Sequence, residues 1–296
     1  MMLAKHHKHR HYRSMQEIED DNLPIRNYSF PVQRLSQSVD LTEWMTPVEN
    51  QETMGTCCAN TFAGICEYQI KRTMDLPSTQ HYIDVSRLFM HYNARKRFQR
   101  TGRMSDTGVD QRDMALSLRK YGVCDETYWP YSARLVNVKP SSFAYKQAQK
   151  YTVVLLRVPV SIEAIETCLH YQIPVPLDMV LDEDTERNIK SNKNYLNMHQ
   201  LNDHFIDAKK LHTVLIVGYN HPERYFIIRN SWGADWASNG YFYLPYDFLW
   251  DRRRVNYNDC LWTVMAMIPR PKEKLPSIRQ LVLPNNKRRY SSKSYR

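Results

Sequence analysis

The sequence predicts an α+β fold of two unlike halves, a helical one followed by a β-rich one, with a cleft between them. Three observations lead there. Apolar residues recur at helical spacing in four stretches between residues 57 and 172, and short β-branched and aromatic runs dominate after Pro174. The chain has 296 residues, 42% hydrophobic and 24% charged, which suits a globular protein with one large or two ordinary cores. No apolar run reaches the length of a membrane span; the longest, TVVLLRVPV, carries an arginine.

The elements follow in order. CCANTFAGICEYQIK, from Cys57, places Ala59, Phe62, Ala63, Cys66 and Ile70 on a helix that starts after Gly55-Thr56. DVSRLFMHYNARKRF (84–98) puts Val85, Leu88, Phe89 and Tyr92 on one face, and DQRDMALSLRKYG (110–122) ends on a glycine cap. SIEAIETCLHYQ (161–172) is the fourth helix. PVPLDMVLD, HTVLIVGYN, YFIIRNSW, GYFYLP and LWTVMAMI then read as strands between turn residues. Helices first and strands second is the pattern of an α+β chain, and a cleft between such halves is a natural place for a site. The expected organisation is a basic, His-rich N-terminal segment (1–36), a domain over 37–270 with halves of about 37–140 and 141–270, and a basic tail (271–296).

The net charge of +10 is unevenly placed. Lys5, Lys8, Arg10 and Arg13 are unopposed by acid at the start, as are Lys287, Arg288, Arg289, Lys293 and Arg296 at the end, so the globular part is nearly neutral. Such arms suit a polyanionic partner, nucleic acid or an acidic surface. The four histidines of HHKHRH read as part of a solvated arm and not as a metal site. The six cysteines form no CxxC pair, which argues against structural zinc and against a dense disulfide framework. No apolar h-region follows the positive start, so no signal peptide is expected, and the expected setting is a reducing cytoplasm.

The adjacent cysteines of QETMGTCCAN pose the chemical question. A lone cysteine usually packs inertly; a nucleophilic one needs the positive end of a helix and an imidazole partner. Cys57 opens the first helix. His212 begins the strand HTVLIVGY, and Asn230 ends the next strand, where it can reach a neighbouring imidazole. His204, in the polar stretch LNDHFID, is the rival base but has no such partner downstream.

These residues resemble the papain-like cysteine peptidases. Gln51 stands six before Cys57, Gly55-Thr56-Cys57-Cys58 fills the nucleophile signature, and HTVLIVGY followed by NSWGADWASNGYFYLP resembles the histidine and asparagine segments. SVDLTEWMTPVENQ resembles the family's mature start and YGVCDETYWPY the segment closing its helical half, so the likeness spans roughly residues 38–268. It implies a two-subdomain fold, with a helical half and a β-barrel-like half on either side of the active-site cleft. It also implies a Cys57–His212–Asn230 triad, an oxyanion donor in Gln51 and a shielding ring in Trp232. In this register Cys58 takes the place of the family's tryptophan.

Several positions depart from the family pattern. Met54 replaces a cysteine, so one family disulfide is absent; Glu52 and Ala237 replace glycines, and Thr213 an alanine. The family's Cys-Asn-Gly-Gly substrate-binding segment is Asp106-Thr107-Gly108-Val109 here, leaving Gly108 and Val109 as the substrate-binding candidates. The short stretch before Ser38 resembles the propeptide-poor branch found in large DNA viruses and some bacteria. The expectation is a peptide-bond hydrolase that works through a thiol acyl-enzyme on a polypeptide substrate, with no metal or organic cofactor. Two alternatives stand beside it: a non-catalytic or virion-associated binding protein that keeps the fold and binds polyanions through its tails, and the same acyl chemistry run towards an amine.

Overall fold

A computed structural model of the chain describes residues 25–31, 34–73, 83–99, 104–202, 206–256 and 260–270. His204, the HHKHRH stretch and the basic C-terminal tail lie outside the described residues.

The first helix, α1 (Cys57–Thr73), is buried without a break from Cys58 to Lys71, the mark of a helix enclosed on every side. Around it pack α2 (Arg87–Phe98) and α3 (Gln111–Tyr121). Ser86 caps α2 by accepting from the Phe89 N–H, and Asp110 caps α3 by accepting from that of Asp113. Gly122 ends α3 at φ 72°, and a Cβ there would fall 2.0 Å from the Ala148 carbonyl oxygen, so only glycine fits. A short helix, α4 (Ser142–Gln147), brings Ala144 and Ala148 onto Phe89 and Cys124, closing the helical part with a small core of its own.

Two sheets make up the rest. In the first, β1 (Ile25–Asn27) runs parallel to β3 (Tyr151–Val158), which pairs antiparallel with β8 (Leu261–Pro269). In the second, β5 (Leu211–Asn220) is central. Its one edge carries β2 (Ser38–Asp40) and β4 (Val175–Val180), and its other edge β6 (Tyr225–Arg229), followed by β7 (Tyr241–Pro245). Helix α5 (Ile162–His170) precedes β4, and α6 (Glu183–Ser191) follows it.

The order of elements is more mixed than the sequence suggests. TVVLLRVPV is the strand β3, ahead of α5, and the polar 180–210 stretch contains α6 with Asp182 as its N-cap. A strand buried on both faces shows no apolar/polar alternation, so its sequence reads only as an apolar run. Packing also reaches beyond residue 37, because Ile25–Asn27 is paired in the first sheet. A single apolar core runs from α1 through β3, β4, β5 and β8, so the two parts share one interior along α1. The turns at Glu52 and Ala237, where the family has glycine, have φ of 52° and 47°, so side chains occupy left-handed backbone there.

Candidate active site

The N-terminus of α1 meets β5. Thr61 on α1 donates to the Thr213 carbonyl at 3.0 Å, fixing the helix against the strand that begins Leu211-His212-Thr213. Cys57, partly exposed, stands at the first position of α1, where backbone N–H groups lack intrahelical acceptors. Its thiol lies 3.9 Å from Thr213 Oγ1, a weak contact in which the thiol donates. His212 and Asn230 are both buried, and Nε2 of the imidazole lies 2.7 Å from Asn230 Oδ1. The same oxygen accepts the Ser231 N–H at 2.8 Å, which fixes it as the amide oxygen and puts the imidazole proton on Nε2. Nδ1 is then the basic nitrogen. The Trp232 ring sits 4.9 Å from the imidazole and covers the histidine–asparagine pair.

The electrostatics favour neutral partners in the resting state. Burial pushes the Cys57 thiol above its ordinary value, and the negative charge of Asp178 adds to the rise. Burial pushes His212 down to about 4, against the opposing effects of Asn230 and Asp178. Cys58 points into the apolar core at 1% exposure, and burial pushes its thiol far up, which leaves it a packing role. All six cysteines are free thiols.

Gln51 is held from three sides. Its Oε1 accepts from Ser231 Oγ at 2.7 Å, its Nε2 donates to the Met54 carbonyl at 3.1 Å, and its backbone N–H donates to Ser231 O at 2.8 Å. The amide thus faces the turn that leads into Cys57 with one proton uncommitted by these contacts. Tyr131 supports the same turn, its hydroxyl lying 2.9 Å from Gln51 O and 2.6 Å from Thr56 Oγ1. The Arg87 guanidinium lies 3.7 Å from the Tyr131 ring centre and pairs with Glu49 and Glu126.

Gly108 and Val109 lie beside this turn: a Cβ on Gly55 would meet the Gly108 nitrogen at 3.4 Å. Gly108 is exposed, with open space where a side chain would project, and Val109 is 8% exposed. The segment is tied down by Asp106, which accepts from Gly55 N at 3.0 Å and bonds buried His91 Nε2 at 2.8 Å. Among the described residues, Glu49, Glu67 and Asp84 bring carboxylate oxygens within 4.8 Å of one another. Thr46 and the Val85 N–H satisfy Glu67 and Arg87 pairs with Glu49, while Asp84 Oδ1 is buried without a hydrogen-bond partner.

Sequence reasoning noted Asp106 and Thr213 only as departures from the family pattern, and missed Tyr131, Asp178 and Ser231 as members of this arrangement. Of these three, Asp178 alone carried a signal, a charge inside the otherwise apolar run PVPLDMVL.

The chain is similar to known proteins over most of its length. The sequence profile of the papain family cysteine proteases matches residues 35–260. An uncharacterized peptidase C1-like protein of Acanthamoeba polyphaga mimivirus is 30% identical over 230 residues, covering 73% of this chain and 70% of that protein. Among solved structures, xylellain, a cysteine protease from Xylella fastidiosa, superposes with a TM-score of 0.63 at 30% identity, covering 78% of this chain and 86% of xylellain. Falcipain-3 of Plasmodium falciparum is 23% identical over 69% of this chain, which spans only 39% of that protein's length. With the profile covering most of the chain and the fold shared with xylellain, the protein belongs to the papain family of cysteine proteases.

Proposed function

We propose that the protein hydrolyses peptide bonds through an acyl-enzyme on Cys57, with His212 as acid–base and Asn230 as its orienting partner. The observation that supports this reading most is the 2.7 Å bond from His212 to Asn230, made on the strand that also carries the Cys57 contact, Thr213. The Cys57 proton passes to His212 Nδ1 as Sγ attacks the substrate carbonyl, and the helix N-terminus favours the thiolate. The carbonyl oxygen gains the negative charge and is met by the Cys57 N–H and the Gln51 side-chain N–H. As the tetrahedral centre collapses, His212 returns the proton to the leaving amine. Water then attacks the thioester, losing its proton to His212, which gives it back to the departing thiol as the acid is released.

The substrate's backbone pairs with Gly108 and Val109, where the exposed glycine leaves room for a close approach. The basic tails are a second element of the proposal. They carry nine of the ten net positive charges and attract polyanions in a salt-dependent way. Trimming to residues 14–286 should lower the salt needed to elute the protein from heparin and leave turnover intact.

Labelling with an epoxide thiol inhibitor and peptide mapping test the chemistry. Cys57 should be modified selectively, Cys57→Ala should abolish peptide hydrolysis, and Cys58→Ala should keep substantial activity. An unlabelled Cys57, or an essential Cys58 with a dispensable Cys57, overturns the assignment and favours a non-catalytic binding protein.

A further inference from the structure

A buried carboxylate beneath the candidate site is used by none of the steps above. Asp178 lies inside β4, an otherwise apolar strand, and is 4% exposed. It sits directly across the β4–β5 ladder from Thr213, and Thr213 Oγ1 donates to its Oδ1 at 2.8 Å. The same hydroxyl is the acceptor 3.9 Å from Cys57 Sγ, so thiol, hydroxyl and carboxylate form a chain from the surface of the site into the core. Gln111, at the start of α3, hydrogen-bonds Asp178 from a third element.

A hydroxyl has one proton to give. With that proton committed to Asp178, Thr213 can only accept from Cys57, so the carboxylate dictates the direction of the contact. An unpaired carboxylate is costly to bury in an apolar strand, and here the compensation comes from groups of the site itself.

We propose that Asp178 is a positioning residue for the Cys57–His212 pair. It orients Thr213 as the acceptor for the resting thiol, and its negative charge holds His212 as the imidazolium once the thiol proton has moved. The proposal rests on the thiol–imidazole reading given above.

The surroundings set the sign. Asp178 faces Cys57 and Cys58 on α1, the α3 cap Asp110 beside Gln111, and His212 and Thr213 on β5. In this set only His212 can take on a positive charge, while Asp110 adds a like charge. Burial raises the Asp178 carboxyl to about 6, so above that pH the carboxylate is charged while resting His212 is neutral, and its charge favours the imidazolium only as the thiol proton arrives. Removing the charge must make that proton transfer less favourable.

The full-length Asp178→Asn variant is compared with wild type for kcat/KM against pH on a peptide substrate, and for Cys57 alkylation by iodoacetamide against pH. Above about pH 6 the neutral variant should lose about tenfold in kcat/KM, the smaller end of the effect of one nearby opposite charge, and below that pH it should converge on wild type. Thr213→Val, which removes the hydroxyl between thiol and carboxylate and keeps the carboxylate, should change Cys57 alkylation without reproducing the loss of kcat/KM above about pH 6. Asp178→Ser, also neutral, carries the test if the asparagine variant does not fold. A folded neutral variant with a profile superimposed on wild type overturns the proposal and makes Asp178 a packing residue. A wild-type protein that hydrolyses nothing and labels no thiol overturns instead the assignment of the reaction, which the wild-type arm alone decides.

Discussion

Replacing Gln51 by alanine should lower kcat and leave KM nearly unchanged. The structure sets the scale. The Gln51 amide is fixed at Oε1 by Ser231 and at Nε2 by the Met54 carbonyl, so its orientation is set before substrate arrives, and in the proposed mechanism its remaining N–H meets the oxyanion. A donor aimed where charge develops is worth more in the transition state than in the ground state. Losing one costs about 10- to 1,000-fold in rate, roughly 1.4–4 kcal/mol. Ser231→Ala removes only one neutral tether, worth about 1 kcal/mol, so at most about a fivefold loss follows. The ranking Gln51→Ala far below Ser231→Ala is therefore part of the expectation. The assay is steady-state hydrolysis of a fluorogenic peptide, with active sites counted by epoxide titration so that misfolded protein does not register as lost rate. Cys57 labelling should persist in both variants. A change confined to KM would make Gln51 a substrate-binding residue, and equal losses in the two variants would refute the tether argument.

Asn230→Ala should lower kcat/KM by about 10- to 100-fold, since it strands a buried imidazole N–H worth about 1–3 kcal/mol; His212→Ala should cost more, and a silent Asn230→Ala in the same peptide assay would contradict the orienting role. Asp106→Ala should raise KM several-fold with a smaller effect on kcat, because it frees the Gly108–Val109 segment from Gly55 and His91. The Asp106 carboxyl starts from 3.8 and, despite burial, is held lower by His91 and the Gly55 N–H. Its contribution to stability is therefore full above pH 3.8 and lost as pH falls through the depressed folded value, so thermal melts of Asp106→Ala and wild type should converge in acid. Ala237→Gly should raise stability by about 0.5–1 kcal/mol in a denaturant melt, since glycine relieves a left-handed alanine at a small entropic cost; an unchanged midpoint would show that the turn carries no strain.

Local patterns determined what the sequence alone could determine. The glycine cap at Gly122 and the apolar periodicity of α1 are each written within a short stretch, because helix and strand periodicities act over neighbouring residues. The pairing of His212 with Asn230 followed from their places on consecutive strands. Tertiary structure decided the rest. The pairing of Ile25–Asn27 with β3 and of Ser38–Asp40 with β5 joins segments that no local pattern connects. Ser231 meets Gln51 across 180 residues, Asp106 meets Gly55 across 51, and Thr213 meets Asp178 across 35. Each is a single polar contact whose partner is chosen by packing, and a lone serine, aspartate or threonine has no periodicity to announce it. Its hydrogen bond exists only after the shared core around α1 has brought the two strands of chain together.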